Sequence, residues 1–81
     1  MKVRVVVRLK NGVLDPQGKA IEKTAINQGY EQFGKFRLGK IIEFHTDLTD
    51  REAVLKQAEE LADKFLANTV IENFEVELEE D

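Results

Sequence analysis

The stretch Lys2-Val3-Arg4-Val5-Val6-Val7-Arg8-Leu9 decides the fold. Val3, Val5, Val7 and Leu9 point one way, and Lys2, Arg4, Val6 and Arg8 the other. Alternation of period two in a run rich in β-branched residues predicts a half-buried strand. Asn11-Gly12 ends it with turn chemistry. The counterpart lies at the far end of the chain, from about Ile71 to Glu79. There Phe74, Val76 and Leu78 share one face, while Glu75, Glu77 and Glu79 share the other. The outer face of the first strand is basic and that of the last is acidic. Opposite charges across neighbouring strands contribute roughly 0.2–1 kcal/mol each, so the two ends are expected to pair.

Two helices separate the strands. Asp15 reads as an N-cap and Pro16 as the first helical position, where a missing N–H costs nothing. That helix is expected to run to about Gln28, with Gly29 as its left-handed terminator. Its apolar face is thin (Ile21, Thr24, Ala25, Ile26), suited to lying close on a sheet. Gly18 in its first turn is a poor helix former, which marks either a close backbone approach or simple tolerance near a helix end. The second helix opens at Thr49-Asp50-Arg51-Glu52, a capping box with Thr49 as the cap. Val54, Ala58, Leu61 and Phe65 follow at helical spacing, and Leu55, Ala62 and Leu66 widen the stripe. Asn68 reads as its C-cap.

The middle segment, Phe36 to Asp47, has two readings. Phe36, Leu38, Ile42 and Phe44 share a phase that Gly39-Lys40 interrupts. One reading, the preferred one, is a single strand of about twelve residues bent or bulged at the glycine. The other is a tight hairpin through Leu38-Gly39-Lys40. Either way the architecture is α+β and ferredoxin-like: one antiparallel sheet with two helices on one face, in the order β-α-β-α-β. It forms a single domain over residues 1–81. An outer sheet face holding Val6 and Ile41 among charges is suited to meeting a second subunit.

Composition narrows the function. With 81 residues, a chain buries only about 60–65% of the surface its unfolded form exposes, and it needs help from a bridge, a metal or a partner. It has no cysteine, and His45 is its only histidine. Disulfides and a structural zinc site are therefore set aside, which leaves association. Twelve basic residues stand against 16 acidic ones, for a net charge of −4. Nucleic-acid binders carry a positive surplus, and base stacking needs aromatic residues on the central strands; the first strand has none. No stretch approaches the roughly 20 apolar residues of a membrane span. The charged N-terminal run does not read as a signal peptide. The expected setting is cytoplasmic, with neither nucleic acid nor membrane as a partner.

Catalytic constellations are missing. The chain contains neither serine nor cysteine to act as a nucleophile. His45 in a strand beside Glu43 and Thr46 reads as a surface or interface residue. Gly12 through Gly18-Lys19 imitates a phosphate-binding loop, but the spacing is one residue too long and Ala20 replaces the magnesium-binding hydroxyl. Glu79-Glu80-Asp81 reads as a solubilising acidic end. No catalytic, cofactor-binding or metal-binding residue is nominated.

Three segments carry a resemblance. They are Leu14-Asp15-Pro16-Gln17-Gly18-Lys19-Ala20, then Arg37-Leu38-Gly39-Lys40, then Leu66-Ala67-Asn68-Thr69-Val70-Ile71-Glu72. In this order and spacing, over essentially the entire chain, the sequence is similar to the PurS family. Thr69 departs from the proline usual there. The resemblance implies a non-catalytic small subunit of phosphoribosylformylglycinamidine synthase, the fourth step of purine biosynthesis and a glutamine-dependent C–N ligase. It further implies a homodimer or tetramer bridging a large synthetase subunit and a glutaminase subunit and helping ammonia pass between them. ATP and Mg would then be used by the complex and not bound by this chain. The residues leave a second reading open: a ferredoxin-like dimer that senses a small molecule at its seam, with Gly12, Gly18, Gly34 and Gly39 as the flexible positions available to a pocket.

Overall fold

The computed structural model describes residues 1–80; Asp81, the last residue of the acidic end, lies outside them. The element order is β1 (Lys2–Leu9), α1 (Pro16–Asn27), β2 (Gly39–His45), α2 (Arg51–Leu61) running into a π-helical turn (Ala62–Leu66), and β3 (Glu72–Glu79). The strands form one antiparallel sheet in the order β2-β1-β3. The first strand is central, so its Val3, Val5 and Val7 are covered from both sides and reach 0%, 0% and 1% exposure. Around them pack Val54, Ala58, Ala62 and Ala67, with Ile42, Phe44, Phe74, Val76 and Leu78 at the margin.

The expected pairing of the chain ends is present, with Lys2 opposite Glu79, Arg4 opposite Glu77 and Val6 opposite Glu75. The Arg4 guanidinium reaches across both neighbours, to Glu43 Oε2 at 3.3 Å on β2 and to Glu77 Oε1 at 3.8 Å on β3. Lys2 Nζ lies 2.5 Å from Glu43 Oε2. Together these cations hold the Glu43 carboxyl below the ordinary carboxylate range. Arg8 departs from the expected charge ladder, because its opposite residue is Asn73.

Neither reading of the middle segment survives intact. No hairpin forms, and the strand is seven residues long, starting at Gly39 and ending at His45. Its whole length is used in pairing with β1, from Arg8 opposite Gly39 to Lys2 opposite His45. Gly39 is not in a left-handed conformation. What it supplies is room, since a Cβ there would lie 2.7 Å from the Val7 carbonyl oxygen.

Helix α2 starts one residue later than the capping box implies. Asp50, not Thr49, is the N-cap, and its Oδ1 accepts from the N–H groups of Glu52 at 3.1 Å and Ala53 at 3.4 Å. The π turn then inserts one residue per turn, seen in the Ala67 N–H donating to the Ala62 carbonyl at 2.9 Å. That insertion rotates the apolar stripe. Val54, Ala58 and Ala62 stay buried, Leu66 is half-buried, and Phe65 swings out to 67% exposure. The C-cap is Ala67 rather than Asn68.

Helix α1 keeps its expected ends but not its expected seat. Asp15 caps it, Pro16 opens it, and Gly29 at φ +94° closes it. The Tyr30 N–H donates to the Ala25 carbonyl at 2.9 Å and the Gly29 N–H to the Ile26 carbonyl at 3.0 Å, a Schellman ending. Yet only Gly18 of its 12 residues is buried, and Ile21 and Ile26 are 43% and 44% exposed. The helix therefore stands away from the sheet instead of covering it. The molecule measures 49 × 28 × 14 Å with a radius of gyration of 16.2 Å. A compact domain of this length has a radius of about 12 Å.

Candidate functional site

The three motif segments converge on one corner of the molecule, at the Leu9 end of β1. Asp15 is its hub. Its Oδ1 accepts from the Gly18 N–H at 2.8 Å, and its Oδ2 accepts from the Leu38 N–H at 2.9 Å. One carboxylate thus caps α1 and ties it to the residue just before β2. These N–H donors, Leu38 first and Gly18 next, hold the carboxyl below the ordinary range, and the Arg37 charge adds to them. Gly18 is required by the same joint, because a Cβ there would lie 2.3 Å from the Phe36 carbonyl oxygen. Arg37 closes the other side, donating to the Leu9 carbonyl and, at 3.4 Å, to Asn11 Oδ1.

The third segment joins through its backbone. The Lys10 N–H donates to the Ile71 carbonyl at 2.8 Å. Asn68 organises the turn before it. Its carbonyl accepts from Ile71 and Glu72, and its own N–H donates to Glu72 Oε1 at 2.7 Å. Between the segments lies an open hollow of about 250 Å³. Val7, Leu9 and Leu38 line it, with Asp15, Gln17, Lys40 and Glu72 also around it. The residues quoted for the resemblance are thus joints of the chain, and they surround a surface depression.

Large apolar side chains are exposed around this corner and along α1. Leu14 is 70% exposed, Val70 81% and Ile71 38%. Tyr30 and Phe33, just after α1, stack with ring centroids 6.5 Å apart and are 55% and 56% exposed. Ala20, Ile21, Thr24, Ala25, Gln28 and Tyr30 line a shallow apolar groove on α1. Exposed apolar patches mark interaction sites.

His45 is exposed at the end of β2, opposite Lys2. Gly12 lies in the turn after β1 at φ +86°, while Gly18 and Lys19 belong to α1. Among the described residues no three His, Asp or Glu side chains stand close enough to hold a metal ion, and no helix is long and apolar enough to cross a membrane. The Asp15–Leu38 tie and the Arg37 clamp were not visible in the sequence. Their only trace was the presence of both segments in one family pattern.

The comparisons agree with the geometry. The family model PurS, described as phosphoribosylformylglycinamidine (FGAM) synthase, matches residues 2–80. The chain is 40% identical over 79 residues to the phosphoribosylformylglycinamidine synthase subunit PurS of Bacillus subtilis, covering 98% of this chain and 93% of that protein. The fold is that of the crystal structure of Methanocaldococcus jannaschii PurS, with a TM-score of 0.88 and 31% identity over 99% of this chain and 96% of that one. A chain in the structure of PurLQS from Thermotoga maritima superposes with a TM-score of 0.84 at 28% identity, covering 94% of this chain and 93% of that one. On this full-length agreement in sequence and fold, the chain belongs to the PurS family.

Proposed function

We propose that this chain is the small, non-catalytic subunit of a phosphoribosylformylglycinamidine synthase. That complex converts formylglycinamide ribonucleotide, glutamine and ATP to the amidine, glutamate, ADP and phosphate. In this reading the chain works in the cytoplasm as a homodimer or tetramer. It bridges a glutaminase subunit and a large synthetase subunit, and the large subunit holds ATP and Mg. The observation that carries the reading is the near full-length likeness to a chain in the structure of PurLQS. The convergence of all three motif segments on an exposed corner, rather than on a catalytic cluster, supports it.

The chemistry supplies the need for a bridge. Ammonia released into water at neutral pH is mostly protonated and loses the lone pair that attacks an activated carbonyl oxygen's carbon. It must travel in a sheltered passage, and a rigid part between two enzymes can hold such a passage in register. The ligand-sensing alternative is not favoured, since every close relative named above is a PurS protein.

The test is reconstitution. The chain alone is expected to show neither glutaminase nor ATPase activity. Mixed with the two larger subunits, it is expected to be required for glutamine-dependent amidine formation. With high external ammonia replacing glutamine, the requirement should fall sharply. Full glutamine-dependent activity in its absence would refute the reading.

A further inference from the structure

We propose that the sheet face turned away from α2 carries a binding site for a phosphate group, built by Arg8 of β1 and Arg37 of the segment before β2. The charge ladder points to it by contrast. Arg4 has a carboxylate on each neighbouring strand, Glu43 on β2 and Glu77 on β3. Arg8 lies on the same face of the same strand, yet the residues opposite it are Gly39 and Asn73. Among the described residues no carboxylate pairs with Arg8. It is also the one exposed residue of β1. In a chain of net charge −4, an arginine left uncompensated on the central strand inverts the local field.

Gly39 brings the second arginine to the same place. A Cβ at position 39 would lie 3.3 Å from Arg8 Cγ, so the Arg8 stem runs close over the glycine, and Arg37 is only two residues before it. Both side chains line a hollow of about 220 Å³, together with Asn11, Asn73, Val6 and, as the only acidic group, Glu75. Arg37 is already fixed there, donating to the Leu9 carbonyl and to Asn11 Oδ1. A guanidinium has five N–H groups, so three of Arg37 remain to be used beside all five of Arg8. The Asn73 and Asn11 amide nitrogens add further donors. A phosphate suits this set better than a carboxylate. It offers an oxygen pair to each of two planar forks, and as a monoester it carries close to two negative charges at neutral pH. Inorganic phosphate and a nucleoside monophosphate share this chemistry.

The test is a titration of the full chain with inorganic phosphate, followed by nuclear magnetic resonance at constant ionic strength with chloride as the balancing anion. Saturable shifts are expected at the Arg8 and Arg37 side-chain N–H groups and at the Asn11 and Asn73 amides. Arg8 makes no ion pair in the fold, so Arg8→Ala should keep the wild-type circular dichroism spectrum while raising the dissociation constant about tenfold or more. Glu75→Gln should lower it, because the carboxylate at the hollow repels the ligand. Arg51→Ala, which removes an exposed arginine paired with Glu80, is the control and should leave it unchanged. Adenosine monophosphate binding more tightly than phosphate, with added shifts at Val6, would identify the ester as the better ligand; equal affinity would identify the phosphate group alone. Either result supports the site. No saturable binding to the wild-type chain, unaltered binding to Arg8→Ala, or acetate binding as tightly as phosphate would overturn it.

Discussion

Replacing Gly18 by alanine separates two physical effects by sign. Helix propensity alone favours alanine inside a helix by up to about 1 kcal/mol. The structure opposes it, because the new Cβ would lie 2.3 Å from the Phe36 carbonyl oxygen and 2.9 Å from Asp15 Oδ2. An ordinary carbon–oxygen contact is about 3.3–3.6 Å, so the Phe36 carbonyl must retreat by about 1 Å. Phe36 lies two residues before Leu38, whose N–H donates to Asp15 at 2.9 Å, and the retreat pulls on that bond. Overpacking of this kind costs about 1–3 kcal/mol. After a propensity gain of about 1 kcal/mol, a net loss of up to about 2 kcal/mol remains. For a domain of this size that lowers the thermal midpoint by up to roughly 15 °C. The assay is thermal unfolding by circular dichroism, with amide hydrogen exchange over residues 16–38 to localise the loss. Lys19→Ala, exposed in the same turn, is the control and should be neutral or slightly stabilising. A Gly18→Ala variant with a raised midpoint and slower exchange in α1 would refute the close approach.

Three further outcomes follow from the sheet and the corner. Gly39→Val should cost more than about 1 kcal/mol in urea unfolding, because its Cβ meets the Val7 carbonyl oxygen at 2.7 Å; a neutral variant would contradict that contact. A double-mutant cycle of Arg4→Ala and Glu77→Ala should give a coupling below about 1 kcal/mol that shrinks in high salt, as expected of an exposed pair at 3.8 Å; zero coupling at low salt would refute the pair. Asp15 and Glu43 both titrate below their ordinary values in the folded chain. Their contribution is therefore complete above the unfolded carboxylate range and lost as pH falls through the folded values, so the thermal midpoint should drop below about pH 4 and Asp15→Asn should flatten that drop.

Local chemistry made much of this legible in the sequence. The Asp15-Pro16 opening and the Gly29 ending of α1 are set by caps within a few residues, and both appear as read. The pairing of β1 with β3 followed from complementary faces, Arg4 with Glu77 among them. What escaped depended on partners distant in the chain or on subtle backbone changes. The π turn at Ala62–Leu66 leaves no composition signal, so Phe65 was placed on the core stripe one residue out of phase. Asp and Thr both cap well, so the sequence alone did not separate Asp50, the observed cap, from Thr49. Helix α1 was seated on its own sheet because an apolar face says that it must be covered, not by what. The candidate surface was readable only as a family pattern, since the tie from Asp15 to Leu38 spans a loop with no periodicity of its own.

The position of β1 has a bearing on how the molecule comes to exist. Both of its neighbours follow it in the sequence, β2 after α1 and β3 after α2. Val3, Val5 and Val7 therefore meet their β3 partners, Leu78, Val76 and Phe74, only after both helices have been made. Contacts so far apart in sequence make for slow, all-or-none closure. During that wait a basic, valine-rich strand could pair with the wrong neighbour. The alternating charges of Lys2, Arg4 and Arg8 guard against this, because two copies of β1 laid side by side would repel. The acidic strand that arrives last is the one that neutralises them. The same charges that close the finished sheet thus protect the nascent chain until its C-terminal partner appears.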